Sequence, residues 1–311
     1  MQEDSAPTVE SSGIYHPLLG TNVEISVVAV VGSSRATAQD AAEAGERRAV
    51  EEMTRLQAVF TVFDPASELC RWRSGVLDEP SAELVEVLTA AQHWWAVSGG
   101  AFHPATAGIR ARWLRAEAEQ RVPSDAELAA LADAAHDLPY GVQDGRLRRT
   151  GDCSGVDLNA IAKGYIVDRG VAAALGVPGV IEVLINAGGD LRRAGAGTLT
   201  VGVEDPQAPG GSPIRVIELA EGALATSGPV HRGFRIGDAW YGHVLDPRTA
   251  RPVGERPSTT VRASDAMTAD ALATVAGVMD WEGACGVLDE TPGAAVLAVL
   301  PGGELRSHGR W

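Results

Sequence analysis

Lysine is almost absent from this chain. Of the 26 basic residues in a sequence of 311, Lys163 is a lysine and the other 25 are arginines. Because arginine stands at every other basic position, the lysine at 163 indicates a requirement for a compact ammonium, such as one that delivers point charge to a phosphate oxygen. The alternative is an ordinary solvated lysine on an amphipathic helix.

Cysteine and net positive charge are also lacking. Cys70, Cys153 and Cys285 are far apart and form no CxxC pair, so the sequence indicates neither a zinc site nor a disulfide framework. The formal net charge is -15. This balance argues against a broad surface for nucleic acid or anionic lipid, and we expect no nucleic-acid partner.

Long apolar runs are missing as well, so we expect no membrane span. The first 13 residues are acidic and polar, with no apolar signal core and no lipid-attachment cysteine. As written, the sequence predicts a cytoplasmic protein. The alternative is an extracytoplasmic protein whose signal segment has been removed from this sequence.

The composition that is present, 45% hydrophobic and 22% charged, suits a globular protein with a full core. We predict a flexible leader over residues 1–15, a single domain over 16–311 and a loop over 101–113. Apolar periodicity predicts helices within 35–60, 81–98, 124–136, 156–176 (capped by Asn159), 267–279 and 281–288. Strands are predicted at 22–31, 180–190, 199–203, 214–219, 240–245, 258–263 and 294–300. Turn residues predict a hairpin within 141–149, centred on Asp144 and Gly145.

This order of elements favours an α+β fold with a mixed, largely antiparallel sheet flanked by helices. We expect two interwoven lobes with an active cleft between them.

The segment ADALAT, at 269–274, carries a candidate metal site. On a helix, Asp270 and Thr274 are four residues apart, so their side-chain oxygens share one face and can converge on one hard cation. Magnesium prefers oxygen ligands and is usually held by one or two carboxylates together with substrate phosphate. The alternative is that Asp270 faces solvent and Thr274 packs its methyl group.

Three further features allow ligand contact. Gly188 and Gly189, in NAGGD, permit close backbone approach or a turn with positive φ. Thr226 and Ser227 offer hydroxyls to a phosphate, or form an ordinary turn. His243 could accept a proton, although a lone histidine is usually structural.

In order and spacing, these segments resemble the FAD:protein FMN transferases of the ApbE family, from about residue 20 to residue 300. The segments are FDPASELCR at 63–71, DLNAIAKGYIVD at 157–168, NAGGD at 186–190, ATSG, HVLDP ending at Pro247, and ADALAT. Each motif is weak alone, but the ordered set is specific.

The resemblance implies a Mg²⁺ enzyme that moves FMN from its substrate FAD to a threonine or serine of an acceptor flavoprotein, releasing AMP. It implies metal ligands at Asp270, Thr274 and the main-chain carbonyl of Ala160, and a catalytic role for His243, Lys163 and Asp246. The flavin site that it implies comprises Leu19, Phe63, Ala101, Phe102, His103, Asp157, Lys163, Gly188, Gly189, Asp190, Thr226, Ser227, His243 and Val244.

The sequence departs from the family pattern at three positions. His103 replaces an acidic residue, Arg73 an asparagine, and Leu19 a methionine. Some contacts to the flavin must therefore differ. Two other functions stay open: an FAD pyrophosphatase that uses water as the nucleophile, and a non-catalytic flavin-binding protein.

Overall fold

A computed structural model describes residues 6–143, 145–228, 233–254 and 258–311. The helices are α1 (Arg35–Phe60), α2 (Glu68–Arg73), α3 (Ala82–Val97), α4 (Ala107–Glu119), α5 (Asp125–Ala134), α6 (Ala162–Leu175), α7 (Ala266–Val278) and α8 (Trp281–Asp289). The strands are β1 (Thr8–Leu18), β2 (Thr21–Val30), β3 (Tyr140–Gln143), β4 (Arg146–Arg149), β5 (Val180–Ala187), β6 (Asp190–Gly195), β7 (Leu199–Val203), β8 (Arg215–Leu219), β9 (Gly222–Ser227), β10 (Gly233–Ile236), β11 (Ala239–Gly242), β12 (Leu245–Asp246), β13 (Arg251–Pro252), β14 (Ser258–Ala263), β15 (Ala295–Val299) and β16 (Leu305–His308).

One eight-stranded sheet organises the protein, in the order β1-β2-β5-β6-β9-β14-β15-β16. Each neighbouring pair in this sheet is antiparallel. The predicted α+β class with a largely antiparallel sheet is therefore confirmed. Among the described residues, no helix has the length and apolar character needed to cross a bilayer.

The two faces of the sheet have different partners. On the face that we call the helix face, α6 packs on β5 and β6, and α7 packs on β9 and β14. The opposite face, which we call the outer face, carries an apolar cluster shared with the β7–β8 ribbon. Side chains alternate between the two faces along a strand. Leu191 of β6 belongs to the outer-face cluster, so its neighbour Asp190 lies on the helix face. Leu224 of β9 also belongs to that cluster, so Thr226 lies on the outer face and Ser227 on the helix face.

Two-residue turns close the hairpins at one end of the sheet. Gly188 and Gly189 join β5 to β6 with φ of 64° and 102°. Both values lie in the left-handed region that glycine adopts without strain, as expected for the primed turns of tight hairpins. A Cβ on Gly188 would lie 2.5 Å from the Thr21 hydroxyl oxygen, so this turn also requires glycine for space.

Several local predictions are wrong. The leader is not flexible throughout, because residues from Thr8 onward form β1, the edge strand that pairs with β2. The predicted loop at 101–113 contains the start of α4, which buries Ile109 and Trp113. Asn159 does not cap α6, whose N-cap is Ile161 with no side-chain hydrogen bond. Strand β6 was not separated from β5, and β9, β10 and β16 were not predicted.

Other local predictions are confirmed. Helix α3 begins after Ser81, whose hydroxyl accepts a hydrogen bond from the Leu84 N–H. Strands β3 and β4 form the predicted hairpin, although its expected centre at Asp144 lies outside the described residues.

Candidate functional site

A buried ion pair lies at the start of α6 and β6. Lys163 is in the first turn of α6, and its Nζ lies 2.6 Å from Oδ2 of Asp190, the first residue of β6. The Asp190 side chain is 2% exposed, whereas that of Lys163 is 29% exposed. Burial raises the pKa of Asp190, and the charge of Lys163 opposes that shift. The Asp190 carboxylate, which the sequence places in the flavin site, is thus ion-paired with the Lys163 ammonium.

A second buried carboxylate lies beside this pair. Asp270 of α7 accepts a hydrogen bond from the Gly164 N–H of α6, at 3.2 Å. Burial raises the pKa of Asp270 well above its usual range, and the negative charge of Asp190 adds to the shift, while Lys163 opposes it. Two acids thus share one ammonium. A bound cation would oppose this shift and stabilise the ionised form of Asp270.

The predicted metal ligands fit this environment. Asp270 and Thr274 lie on α7 with helical i, i+4 spacing, and Thr274 and Ala160 are partly exposed. In the described part of the chain, no three or more His, Cys, Asp or Glu side chains are grouped to hold a metal. A cation here would instead be bound by one carboxylate, one hydroxyl and one main-chain carbonyl oxygen. These are hard oxygen donors that suit Mg²⁺, and phosphate and water would complete its coordination.

The side chains of Thr226 and Ser227 point to opposite faces of the sheet. On the helix face, the Ser227 Oγ lies 3.8 Å from the position that a Cβ on Gly277 of α7 would take. On the outer face, the Thr226 hydroxyl lies 3.0 Å from that of Thr260 on the neighbouring strand. Only Ser227 therefore presents its side chain to the face that carries Asp270.

A separate pocket of about 260 Å3 opens on the outer face. Leu191, Leu224, Thr226 and Thr260 line it, together with the turn formed by Gly188 and Gly189. The sheet separates these side chains from the Lys163–Asp190 pair.

The segment from Ala101 to Pro104 contacts Asp157 through the Pro104 carbonyl. Ala101 and Phe102 are buried, so their side chains anchor this segment on the core. The Asp157 N–H donates to the Pro104 carbonyl at 2.6 Å, and its carboxylate accepts from the N–H and side chain of Asn159. Burial raises the pKa of Asp157.

His103 is buried, and its Nδ1 accepts a hydrogen bond from the Ala105 N–H at 3.0 Å. Burial lowers its pKa to about 4, so the imidazole is neutral at physiological pH. Where the family pattern has an acidic residue, this chain therefore presents a neutral ring, and the local charge becomes less negative.

The remaining predicted residues lie on turns and loops. Phe63, between α1 and α2, is 88% exposed, which is unusual for so large an apolar side chain. Leu19 occupies the β1–β2 turn with φ of 54°, and its N–H donates to the Gln57 side chain at 2.6 Å. His243 is exposed in a bend between β11 and β12, followed by partly exposed Val244.

Asp246 is engaged in its own turn. Its carboxylate accepts hydrogen bonds from the Arg248 N–H, Nε and Nη2, each at 2.9 Å. A bidentate pair of this kind is geometrically specific. This pairing fixes the turn that follows His243.

Sequence reasoning missed Gly164 as a packing residue. A Cβ on Gly164 would lie 2.2 Å from the Ala266 carbonyl oxygen and 2.7 Å from the Met267 Cα, both in the first turn of α7. Helices α6 and α7 therefore touch through backbone, and this close approach lets the Gly164 N–H reach Asp270. The only signal in the sequence was the small residue after Lys163.

We expect Gly164→Ala to lower the free energy of unfolding by about 1–3 kcal/mol, because the methyl group meets backbone that cannot rotate away. Gly286→Ala in α8 is the matched control, since a Cβ there has no neighbour within 4 Å. That control should be neutral or stabilising by up to about 1 kcal/mol. Urea unfolding of both variants makes the comparison. Equal stability of the two would contradict the tight contact.

The fold and site define an α+β protein in which a lysine of α6 and an aspartate of α7 lie beside a buried aspartate of the antiparallel sheet. The model of the ApbE family matches residues 19–298, and the chain belongs to this family. The FAD:protein FMN transferase of Treponema pallidum is 32% identical over 235 residues, which cover 68% of this chain and 63% of that protein. The match thus spans less than two thirds of that relative.

Two further comparisons agree with the family, and a third agrees in fold. The FAD:protein FMN transferase of Vibrio cholerae is 30% identical over 233 residues, covering 72% of this chain and 70% of that protein. The crystal structure of the ApbE protein of Thermotoga maritima superposes with a TM-score of 0.79 at 30% identity, covering 96% of each chain. The flavin transferase ApbE of Vibrio cholerae, at 23% identity and a TM-score of 0.75, supports the fold.

Proposed function

We propose that this protein is a Mg²⁺-dependent FAD:protein FMN transferase. It would transfer FMN from FAD to a threonine or serine hydroxyl of an acceptor flavoprotein and release AMP. Family membership and the names of two relatives support this function. The observation that carries it is the buried group of Lys163, Asp190 and Asp270, in which two acids share one ammonium.

Asp270, Thr274 and the Ala160 carbonyl would hold the Mg²⁺. When bound, the ion supplies charge neutralisation and polarisation of the FAD pyrophosphate. Lys163 presents its ammonium to the same phosphates, and Asp190 limits the directions in which that ammonium can point. Positioning and electrostatics are the main contributions that a protein makes to phosphoryl transfer.

The reaction exchanges one phosphorus–oxygen bond for another. The acceptor hydroxyl oxygen forms a bond to the FMN-side phosphorus, and the bridging bond to the AMP phosphate breaks. His243 is our candidate for the base that takes the hydroxyl proton, and its exposure leaves it accessible to an incoming protein. AMP leaves with the electron pair of the broken bond.

Phe63 is a candidate contact for an aromatic ring of FAD. An 88% exposed phenyl ring leaves almost its whole apolar surface in water. Stacking on a planar ring would bury that surface and recover part of the hydrophobic free energy. The exposed aromatic ring therefore supports FAD binding independently of the buried charges.

The direct test incubates the purified chain with FAD, Mg²⁺ and candidate flavoproteins from the same genome. Intact mass reports FMN on the acceptor, and chromatography reports AMP. We expect one AMP for each FMN attached, and faster FAD consumption when the acceptor is present. Free FMN and AMP without any flavinylated protein would indicate a pyrophosphatase, and no AMP at all would indicate a binding protein.

His243→Ala is expected to slow FMN transfer by about 10²–10⁴-fold and to change the Kd for FAD by less than about twofold. Removal of the hydroxyl proton matters in the transition state and little in the ground state. His136→Ala is the control, since that side chain is 82% exposed and lies next to Asp137. Single-turnover transfer and FAD fluorescence titration give the two quantities. Equal losses in rate and affinity would assign His243 to binding.

A further inference from the structure

Asp168 links α6 to the first turn of α7. It lies on α6, and its two carboxylate oxygens accept hydrogen bonds from the N–H groups of Ala266 and Met267 at 2.8 and 2.9 Å. The Arg192 Nε lies 3.4 Å from one of these oxygens. Burial raises the pKa of Asp168 to about 6, and the two N–H donors and Arg192 oppose the shift. The group is therefore ionised above neutral pH.

Helix α7 already has a cap of its own. Asp265 is its N-cap residue and accepts a hydrogen bond from the Thr268 N–H at 2.8 Å. Asp168, which lies on a different helix, accepts hydrogen bonds from the two N–H groups that precede Thr268. Such bonds satisfy donors that the helix cannot use internally, and the negative charge suits a helix N-terminus. They also tie α7 to α6, which Asp265 cannot do.

The link lies one turn from the reacting groups on both helices. Asp168 is four residues after Gly164, so the two share a face of α6. Gly164 touches Ala266 and donates its N–H to Asp270, while Lys163 beside it holds Asp190. Movement of the α7 N-terminus would therefore change the distance between Asp270 and Lys163.

We propose that Asp168 is a positioning residue, which fixes the first turn of α7 on α6 and thereby sets Asp270 and Thr274 in the geometry that holds the metal. This role rests on the proposed function. The Asp168 carboxylate accepts hydrogen bonds from the backbone of Ala266 and Met267, and it acts through that backbone.

Asp168→Asn tests this role against a purely stabilising one. Asparagine keeps the size of the side chain, but one oxygen becomes an NH₂ group that cannot accept a hydrogen bond. Asp265→Asn is the matched control: it removes the same charge at the same helix end, and asparagine is an equally good N-cap. Asp168→Glu is a second variant that keeps the charge and displaces the oxygens by one methylene.

The measurements are Mn²⁺ binding by paramagnetic resonance with FAD present, the Mg²⁺ concentration that half-saturates AMP release, and Tm. The binding and activity measurements are made at pH 8 and at a temperature well below the Tm of each variant. We expect Asp168→Asn to weaken Mn²⁺ binding and raise the Mg²⁺ half-saturation by about 10-fold or more, and Asp265→Asn to change either by less than about twofold. If Asp168→Asn does not fold, the same loss is expected of Asp168→Glu.

A lower Tm in Asp168→Asn with unchanged Mn²⁺ affinity would reduce Asp168 to a stability residue and overturn the proposal. Equal metal losses in the two asparagine variants would also overturn it, because charge alone would then explain them. If wild-type protein releases AMP from FAD but does not bind Mn²⁺, the metal site and this role fail while the enzymatic activity stands.

Discussion

Asp270→Asn is expected to reduce Mg²⁺-dependent turnover by about 100-fold or more, while the metal-free protein stays folded and equally or more stable. The loss of one carboxylate ligand weakens the metal site, and a 100-fold effect corresponds to about 2.7 kcal/mol of barrier. Asparagine keeps an oxygen that can accept the Gly164 N–H, so the contact between α6 and α7 is retained.

The variant is expected to lose turnover and yet keep or gain free energy of unfolding, because the pKa of Asp270 is raised in the folded protein. A carboxyl whose pKa is higher in the folded state than in the unfolded state makes folding less favourable as pH rises above about 4, its ordinary value. Asparagine does not titrate, so this loss of stability disappears. Metal-free thermal unfolding at pH 5 and pH 8, together with turnover against Mg²⁺ concentration, checks both parts. Near-normal turnover at low Mg²⁺ would show that the metal site is wrongly assigned.

Lys163→Met is expected to cost about 3–5 kcal/mol of folding free energy as well as activity, because it leaves the 2% exposed Asp190 carboxylate buried without its partner. Lys163→Met combined with Asp190→Leu removes both charges and should recover most of the stability. It should not recover activity, because the ammonium that we propose contacts the phosphates is still missing. Urea unfolding and AMP release separate the two effects.

Lys163→Arg completes this series. Arginine preserves the charge, but its planar fork is larger than an ammonium held 2.6 Å from Asp190. We expect a stable protein with turnover reduced by about 10-fold or more. An unchanged rate and an unchanged Kd for FAD would mean that the single lysine has no special role. Recovery of activity in the double variant would likewise remove Lys163 from the reaction.

Helices were the most predictable part of the fold. Apolar residues repeat along α1 and α3, and serines stand at their starts, so periodicity and capping locate them without tertiary information. Strand β1 was missed because its burial alternates weakly at the edge of the sheet, where it pairs with β2. The start of α4 was missed because Trp113 and Ile109 pack against Phe234, far along the chain.

The sequence by itself determined the parts of the site that depend on local spacing. Helical periodicity puts Asp270 and Thr274 on one face of α7, and glycines at 188 and 189 specify a tight turn. Composition alone distinguishes Lys163, because it is the single lysine among 26 basic residues. The helical spacing and the turn each follow from residues within a few positions of one another.

Only the tertiary structure decided which distant groups meet. It paired Lys163 with Asp190 and brought Asp270 to the Gly164 N–H. It placed the Asp168 carboxylate where it accepts hydrogen bonds from the first turn of α7. It also placed Thr226 and Ser227 on opposite faces of the sheet. The physical reason is that strand register and helix crossing, which local pattern leaves open, determine which buried charges face each other and hence their pKa values.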